Sequence, residues 1–277
     1  IELPGKETAS ICTYCDSAVV VSDRLAGDMH PSLVLPFAMD RKEAEEAFKK
    51  WCHNGRFSPA GFTSAENLKK IRPIYVPYWL YDADTTTTMK ARATKTHTYR
   101  NGDYEVTETY FYEVGRTMRL HYDQVPYDAS EEMDDDLMTK IAPYDYSALK
   151  VFQMPYLAGF DASQRDYSDQ ELLPLVKHAI DGYCEDQVRA TITGYGTVNV
   201  TYKNVDYRNI KTDYAYMPVW YIHYPFNDKD YFFAMNGQTG KIAGTPPISK
   251  AKVAAWFGGI SGIFFVILSV IGGLVLC

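Results

Sequence analysis

Basic residues are the scarcer charge in this chain, 28 Lys and Arg against 35 Asp and Glu, for a net charge of −7. A general nucleic-acid surface needs an excess of cations over phosphate, so this balance argues against one. Cysteine is sparse, at five, with Cys12 and Cys15 as a close pair and Cys52, Cys184 and Cys277 scattered. An odd count with one Cys-x-x-Cys excludes a dense disulfide framework and fits reduced thiols plus a metal or redox pair, hence the cytoplasm. The chain also lacks Gly-x-Ser-x-Gly, His-Glu-x-x-His and a complete Walker loop, which removes the sequence support for the commonest hydrolases and nucleotide enzymes. It opens Ile1-Glu2-Leu3-Pro4-Gly5, without the basic and apolar run of a secretory signal and without Met, as expected of a piece of a longer protein.

Long apolar runs are absent until the last one. Residues 253–277 carry no charge; as a helix they reach roughly 37 Å, enough to cross a hydrocarbon core of about 30 Å with some tilt. Gly258, Gly259, Gly262, Gly272 and Gly273 interrupt the run, as membrane helices tolerate, and would let another helix come close. A transmembrane helix is expected here. Lys241, Lys250 and Lys252 precede it and nothing charged follows, which by the positive-inside bias puts the soluble part in the cytoplasm of a bacterial cytoplasmic membrane.

Ahead of the anchor, tyrosine dominates with 23 copies, pointing to half-exposed antiparallel sheets whose phenol tips stay wet. Ser32 to Phe37 predicts a short strand, and Asp40 caps a helix over 41–52 with Ala44, Ala47, Phe48 and Trp51 on one face. A short helix is expected over 64–71, then strands at 74–81, 84–99, 104–114 and 118–125, the middle two joined by a turn with positive φ at Asn101 and Gly102. The acidic run at 130–136 reads as the first turn of a helix ending near Ile141 rather than as a cation loop. Ser168 and Glu171 form a capping-box pattern before a second amphipathic helix, and 197–207 alternates as a strand. Gly237 to Lys241 resembles a phosphate loop only in part, since Ile242 stands where Ser or Thr is needed; a hairpin turn explains it.

Two stretches echo each other. Tyr216-Met217-Pro218-Val219-Trp220 repeats Tyr75-Val76-Pro77-Tyr78-Trp79, and Phe152 to Tyr156 resembles Val34 to Phe37. The expected fold is therefore α+β: two related units of antiparallel sheet packed with helices, at 31–145 and 146–247, behind an N-terminal segment 1–30 and ahead of the anchor 253–277.

The N-terminal segment holds the one chemical motif. Cys12-Thr13-Tyr14-Cys15 leads into Val19-Val20-Val21, a knuckle before a strand, where a thioredoxin-like pair would open a helix. Two thiolates leave a tetrahedral zinc two ligands short; His30 and Cys52 are nearest in sequence, without knuckle spacing. With Leu35-Pro36-Phe37, Val76-Pro77-Tyr78-Trp79-Leu80, Asn101-Gly102, Met133 to Leu137, Pro143 to Tyr146 and Ala158-Gly159-Phe160, the chain is similar along nearly its whole length to a bacterial family of TFIIB-type zinc-ribbon-containing proteins. The resemblance implies a truncated zinc ribbon in which Cys12 and Cys15 are the second knuckle, the first lying upstream of Ile1, and zinc as the cofactor of the longer parent. It brings no established activity. The expected function is a membrane-anchored cytoplasmic module, non-enzymatic, meeting a protein partner through ribbon and sheet. The rivals are nucleic-acid binding through the ribbon, a thiol-redox protein, and a hydrolase using His97, His121 and Asp123, although nothing spaces these three as a triad. His97 and His121 could face each other across the hairpin, but paired strand histidines without a third ligand read as surface residues rather than as a metal site.

Overall fold

The computed structural model describes residues 6–11, 18–54, 58–59, 68, 70–226 and 229–275. Among the described residues it is a mixed α+β fold with one ten-stranded sheet and four α-helices. The strands are β1 (Glu7–Ile11), β2 (Ala18–Val20), β3 (Leu33–Val34), β4 (Ile71–Asn101), β5 (Tyr104–Asp128), β6 (Lys150–Val151), β7 (Asp161–Ser163), β8 (Thr197–Phe226), β9 (Lys229–Asn236) and β10 (Ile242–Gly244). The helices are α1 (Arg41–Asn54), α2 (Asp135–Ile141), α3 (Asp169–Ala190) and α4 (Lys250–Val275).

Helices α1 and α3 start where the sequence predicts their caps. The Asp40 carboxylate accepts from the Glu43 amide at 2.8 Å while Glu43 accepts from the Asp40 amide, and Ser168 and Glu171 make the same reciprocal pair at the head of α3. Asp134 caps α2, whose acidic first turn is the run read from the sequence. The proposed helix over 64–71 falls largely outside the described residues, and Ile71 already belongs to β4.

The strands are longer than expected. Segments 74–81 and 84–99 are one strand, as are 104–114 and 118–125, so the anticipated meander is a single hairpin of 31- and 25-residue strands. Bulges at Tyr81/Ala83 and Asp82/Asp84 mimic a strand break in the alternation while the ladder continues. At the hairpin's end Asn101 pairs with Tyr104, so Gly102, with φ 63°, opens the turn and Asn101 stays in the ladder.

Burial along β4 falls in three zones. Residues 75–81 are all buried, with Tyr75, Trp79 and Tyr81 on the α3 side and Val76, Tyr78 and Leu80 on the α2 side. From Ala83 to Ala93 only alternate residues are buried, where the small side chains of Ala83, Ala91 and Ala93 let α3 lie close along the sheet. Beyond Thr94, whose pair with Thr197 is the last to β8, the hairpin runs on as a two-stranded ribbon to Asn101, about 23 Å at roughly 3.3 Å per residue. Several tyrosines expected to keep wet tips are fully buried; Tyr81 donates instead to the Asp169 carbonyl at 2.8 Å and Tyr216 to the Ser163 carbonyl at 3.0 Å.

The order strand, helix, long strand, antiparallel partner occurs twice, as β3-α1-β4-β5 and β7-α3-β8-β9. The β4–β8 ladder pairs Val76 with Met217, so each echoing segment lies antiparallel on its own counterpart. On one edge of β4, β7 runs parallel at Ile74 and Tyr75 and gives way to β5 at Tyr78; on β8, β3 runs parallel at Ala215 and Tyr216 and gives way to β9 at Val219. The counterpart of β3 is thus β7. Phe152 to Tyr156, the echo expected to play that part, instead enters a 3-10 turn over Met154–Leu157.

Gly237 follows the last residue of β9, beneath Phe37. A Cβ there would sit 2.7 Å from the Phe37 ring and 2.8 Å from the Pro218 Cβ. The ring cannot retreat easily, being stacked on Phe160 at 4.7 Å and edge-on to Tyr75 and Trp220. Gly237→Ala is therefore expected to destabilise the fold by about 1–3 kcal/mol in thermal or urea unfolding. Gly115→Ala, facing open space, is expected to change little; equal effects at both sites would refute the close approach.

Candidate functional site

The end of β5 meets the two central helices at a cavity of about 350 Å³. Tyr78 of β4 and Asp128 of β5 stand directly opposite in the ladder and both line it. Tyr78 is 4% exposed and its hydroxyl has no partner. One Asp128 oxygen, Oδ1, accepts from the Ser130 amide at 2.9 Å; the other, Oδ2, is buried and unpartnered. Burial, reinforced by the nearby Asp135 carboxylate, pushes the Asp128 carboxyl up to about 7 against the pull of the Ser130 and Ala129 amides. Tyr127, Tyr144, Tyr183 and Met138 supply the apolar wall.

The same place in the second half of the chain is closed. Val219 and Asn236 of the β8–β9 ladder stand where Tyr78 and Asp128 stand in β4–β5. Asn236 Oδ1 accepts from the Gln238 amide at 2.9 Å, matching Asp128 Oδ1, while its Nδ2 donates to the carbonyls of Ile141 at 3.1 Å and Pro143 at 3.2 Å. One position thus has its polar tip satisfied by the protein, and the other leaves one carboxyl oxygen buried without a partner.

A wider groove of about 680 Å³ is lined by Glu7, Arg72, Glu132, Asp161 and His223 among others. Burial and the Asp161 carboxylate raise the Glu7 carboxyl. None of the described buried polar atoms without a partner lines this groove, so it gives less reason to expect a specific ligand.

The residues singled out from the sequence do not converge. Cys12 and Cys15 lie outside the described residues, and among those described no group of three or more His, Cys, Asp or Glu is placed to hold a metal ion. Cys52 is buried in α1, where desolvation pushes its thiol up to about 12, unlike a thiolate ligand. His30 packs edge-on to Phe152. His97 pairs with Glu108 and His121 with Asp84, so the two histidines do not face each other; Asp84 and His97 are thirteen residues apart on β4, about 43 Å. His121 Nδ1 lies 2.8 Å from Asp84 Oδ1, and the Asn209 amide donates to Asp84 Oδ2 at 2.8 Å, an exposed polar ladder across three strands. Gly237 to Lys241 is a turn, with Asn236 Oδ1 accepting from the Gln238 and Thr239 amides. Asp128 was missed because a lone Asp at a strand end looks like an ordinary turn residue; the signal was the Asp and Asn shared by two matching strand ends.

The fold and cavity define a mixed α+β protein with one large sheet, a ligand-sized void beside its central strands and a long apolar helix at its C-terminal end. The chain is 44% identical over 254 residues to the uncharacterized protein YdjG of Bacillus subtilis (strain 168), a match covering 92% of this chain and 74% of that protein. It belongs to the YdjG family. No family model and no solved structure matches.

Unfolded chain ionises Asp128 near the ordinary 3.8, folded chain near 7, so between these values folding takes up a proton and stability falls as pH rises, levelling above about 7. Asp128→Asn is expected to gain stability relative to the wild type as pH is raised from about 4 to about 7. Urea unfolding of both at several pH values checks this; a constant difference would mean that the carboxyl is not raised.

Proposed function

We propose that the chain is a membrane-anchored, non-enzymatic module of two related units that presents its sheet to a protein partner on the cytoplasmic side of a bacterial cytoplasmic membrane. The observation that carries this reading is α4, a 26-residue helix on which Phe257 and Phe265 are 72% and 73% exposed. An apolar helix of that length, exposed along most of Lys250–Ser269, finds its natural solvent in a bilayer. Lys250 and Lys252 at its start support the cytoplasmic orientation.

The two-unit reading is supported by the matched pairings about Val76 and Met217. The partner surface is the ribbon past Thr94, where Tyr110, Tyr99 and Tyr104 continue the sheet face that α3 covers further back. The resemblance to zinc-ribbon proteins supports zinc at Cys12 and Cys15, completed by an upstream pair, as a second contact element. His97 is held far from His121 and Asp123 along the hairpin, so these three residues do not form one site.

Removing residues 250–275 is expected to move the protein from a carbonate-washed membrane pellet to the soluble fraction; retention in the pellet would refute the anchor. A photocrosslinker at Tyr104 is expected to give a discrete protein adduct in cells that one at Thr88 does not, and identical patterns would refute the ribbon as the contact. Elemental analysis of an upstream-extended chain is expected to find about one zinc per molecule, lost on Cys12→Ser; no zinc would remove the ribbon.

A further inference from the structure

Two long strands have an open edge. Among the described strands β5 pairs with β4 alone, and β8 has no second partner over residues 197–213. Each such edge presents a row of N–H and C=O groups that another strand can meet. On β8 the row is broken twice, by register shifts that skip Thr201 and fall at Asn209, whose φ is 51°. On β5 the only shift lies near the far end, where Gln124 has a φ of 53° and Pro126 follows. Tyr104 to Tyr122 is therefore an uninterrupted edge without proline or bulge.

Charge is divided along that edge. Glu105 and Glu108 lie toward its start and Arg116 and Arg119 toward its end, all but the half-buried Glu108 exposed. Within the chain the two arginines meet no acid across the ladder, since Arg116 stands opposite Met89 and Arg119 opposite Thr86. Neither is in an ion pair among the described residues. The Glu108 carboxylate accepts from the hydroxyls of Tyr110 at 2.6 Å and Tyr99 at 3.1 Å, which hold its carboxyl below the usual range and so keep it charged.

We propose that β5 pairs edge to edge with β5 of a second copy of this chain, antiparallel about a two-fold axis at Tyr112, joining two sheets into one. Paired residues in such a ladder share a face, so each can meet only residues an even number of positions away in the sequence. With Tyr112 on the axis, Glu108 meets Arg116 of the second copy and Glu105 meets its Arg119, each pair occurring twice. On the face that α3 covers further back, Tyr104 and Val106 meet Leu120 and Met118, which already pack against buried clusters of their own chain. Moving the axis by one residue would set Glu113 against its own copy and lose both charge pairs. Parallel pairing in register would place every charge beside its like. The division of charge thus selects a second copy, in one register, over an unrelated strand. This contact uses the strand's edge and does not rest on the partner proposed for the ribbon's face.

The test is the molar mass of the full chain in detergent, by light scattering corrected for bound detergent, over a dilution series. A dimer is expected. Glu108→Arg and Arg116→Glu are each expected to weaken it about tenfold or more, because each sets like charges opposite one another twice. An equal mixture of the two variants is expected to dimerise again, since their pairing restores opposite charges at both positions; association through the anchor would respond to none of these changes. Under mild oxidation Tyr112→Cys is expected to give a disulfide-linked dimer and Thr117→Cys, far from the axis, to give none beyond the wild-type level. A monomeric wild type, single variants that dimerise like the wild type, a mixture that stays monomeric, or equal linking at Tyr112→Cys and Thr117→Cys would overturn the proposal. Should a charge variant fail to fold, the two cysteine variants decide it.

Discussion

The antiparallel ladder between β4 and β8 is the constraint on which the rest of the molecule depends. It joins residues 71–94 to residues 197–222, so the two halves of the chain share one sheet and neither has a complete core alone. Register in such a ladder is set by burial, since a slip of one residue would turn every buried side chain outward. Around Val76 and Met217 both faces are covered, which fixes the register twice over. The short strands reinforce the interlock, because β3 pairs with β8 and β7 pairs with β4, each across the sequence midpoint.

What covers each zone of this sheet determines what the zone can do. Aromatic and branched residues fill the doubly covered centre, Ala and Thr admit α3 along the next stretch, and beyond α3 the same face emerges as exposed tyrosine. The cavity lies where the covering changes, at the end of β5 beside α2. There the repeat is broken: the second half spends its strand-end amide on holding Ile141 and Pro143, and among the described residues Asp128 Oδ2 has no such partner. Near-symmetry thus supplies an internal reference against which one unsatisfied group stands out.

Much of the local structure was legible in the chain. Asp40, Ser168 and the acids before Leu137 announced their helix starts because capping is a matter of neighbours within one turn. The Pro-Trp echo was visible as composition, yet its meaning, each copy paired on the other, was not, since strand pairing is decided between residues about 140 positions apart. The hairpin's length was misjudged because bulges beside Asp82 interrupt the alternation that marks a strand. Histidines stood out by residue type and proved to be surface ladder members, while Asp128 escaped notice as one acid among many.

By itself the sequence determined the class of the fold, the helix caps and an apolar C-terminal helix, all of which follow from short-range periodicity, composition and neighbouring hydrogen bonds. The tertiary structure alone decided the partner of every long strand, the separation of His97 from His121, and the convergence of Tyr78, Asp128 and Asp135 on one cavity. The physical reason is that desolvation and unpaired hydrogen-bonding groups are properties of enclosure. A carboxyl becomes unusual only when distant segments shut water away from it, and no pattern of adjacent residues records that.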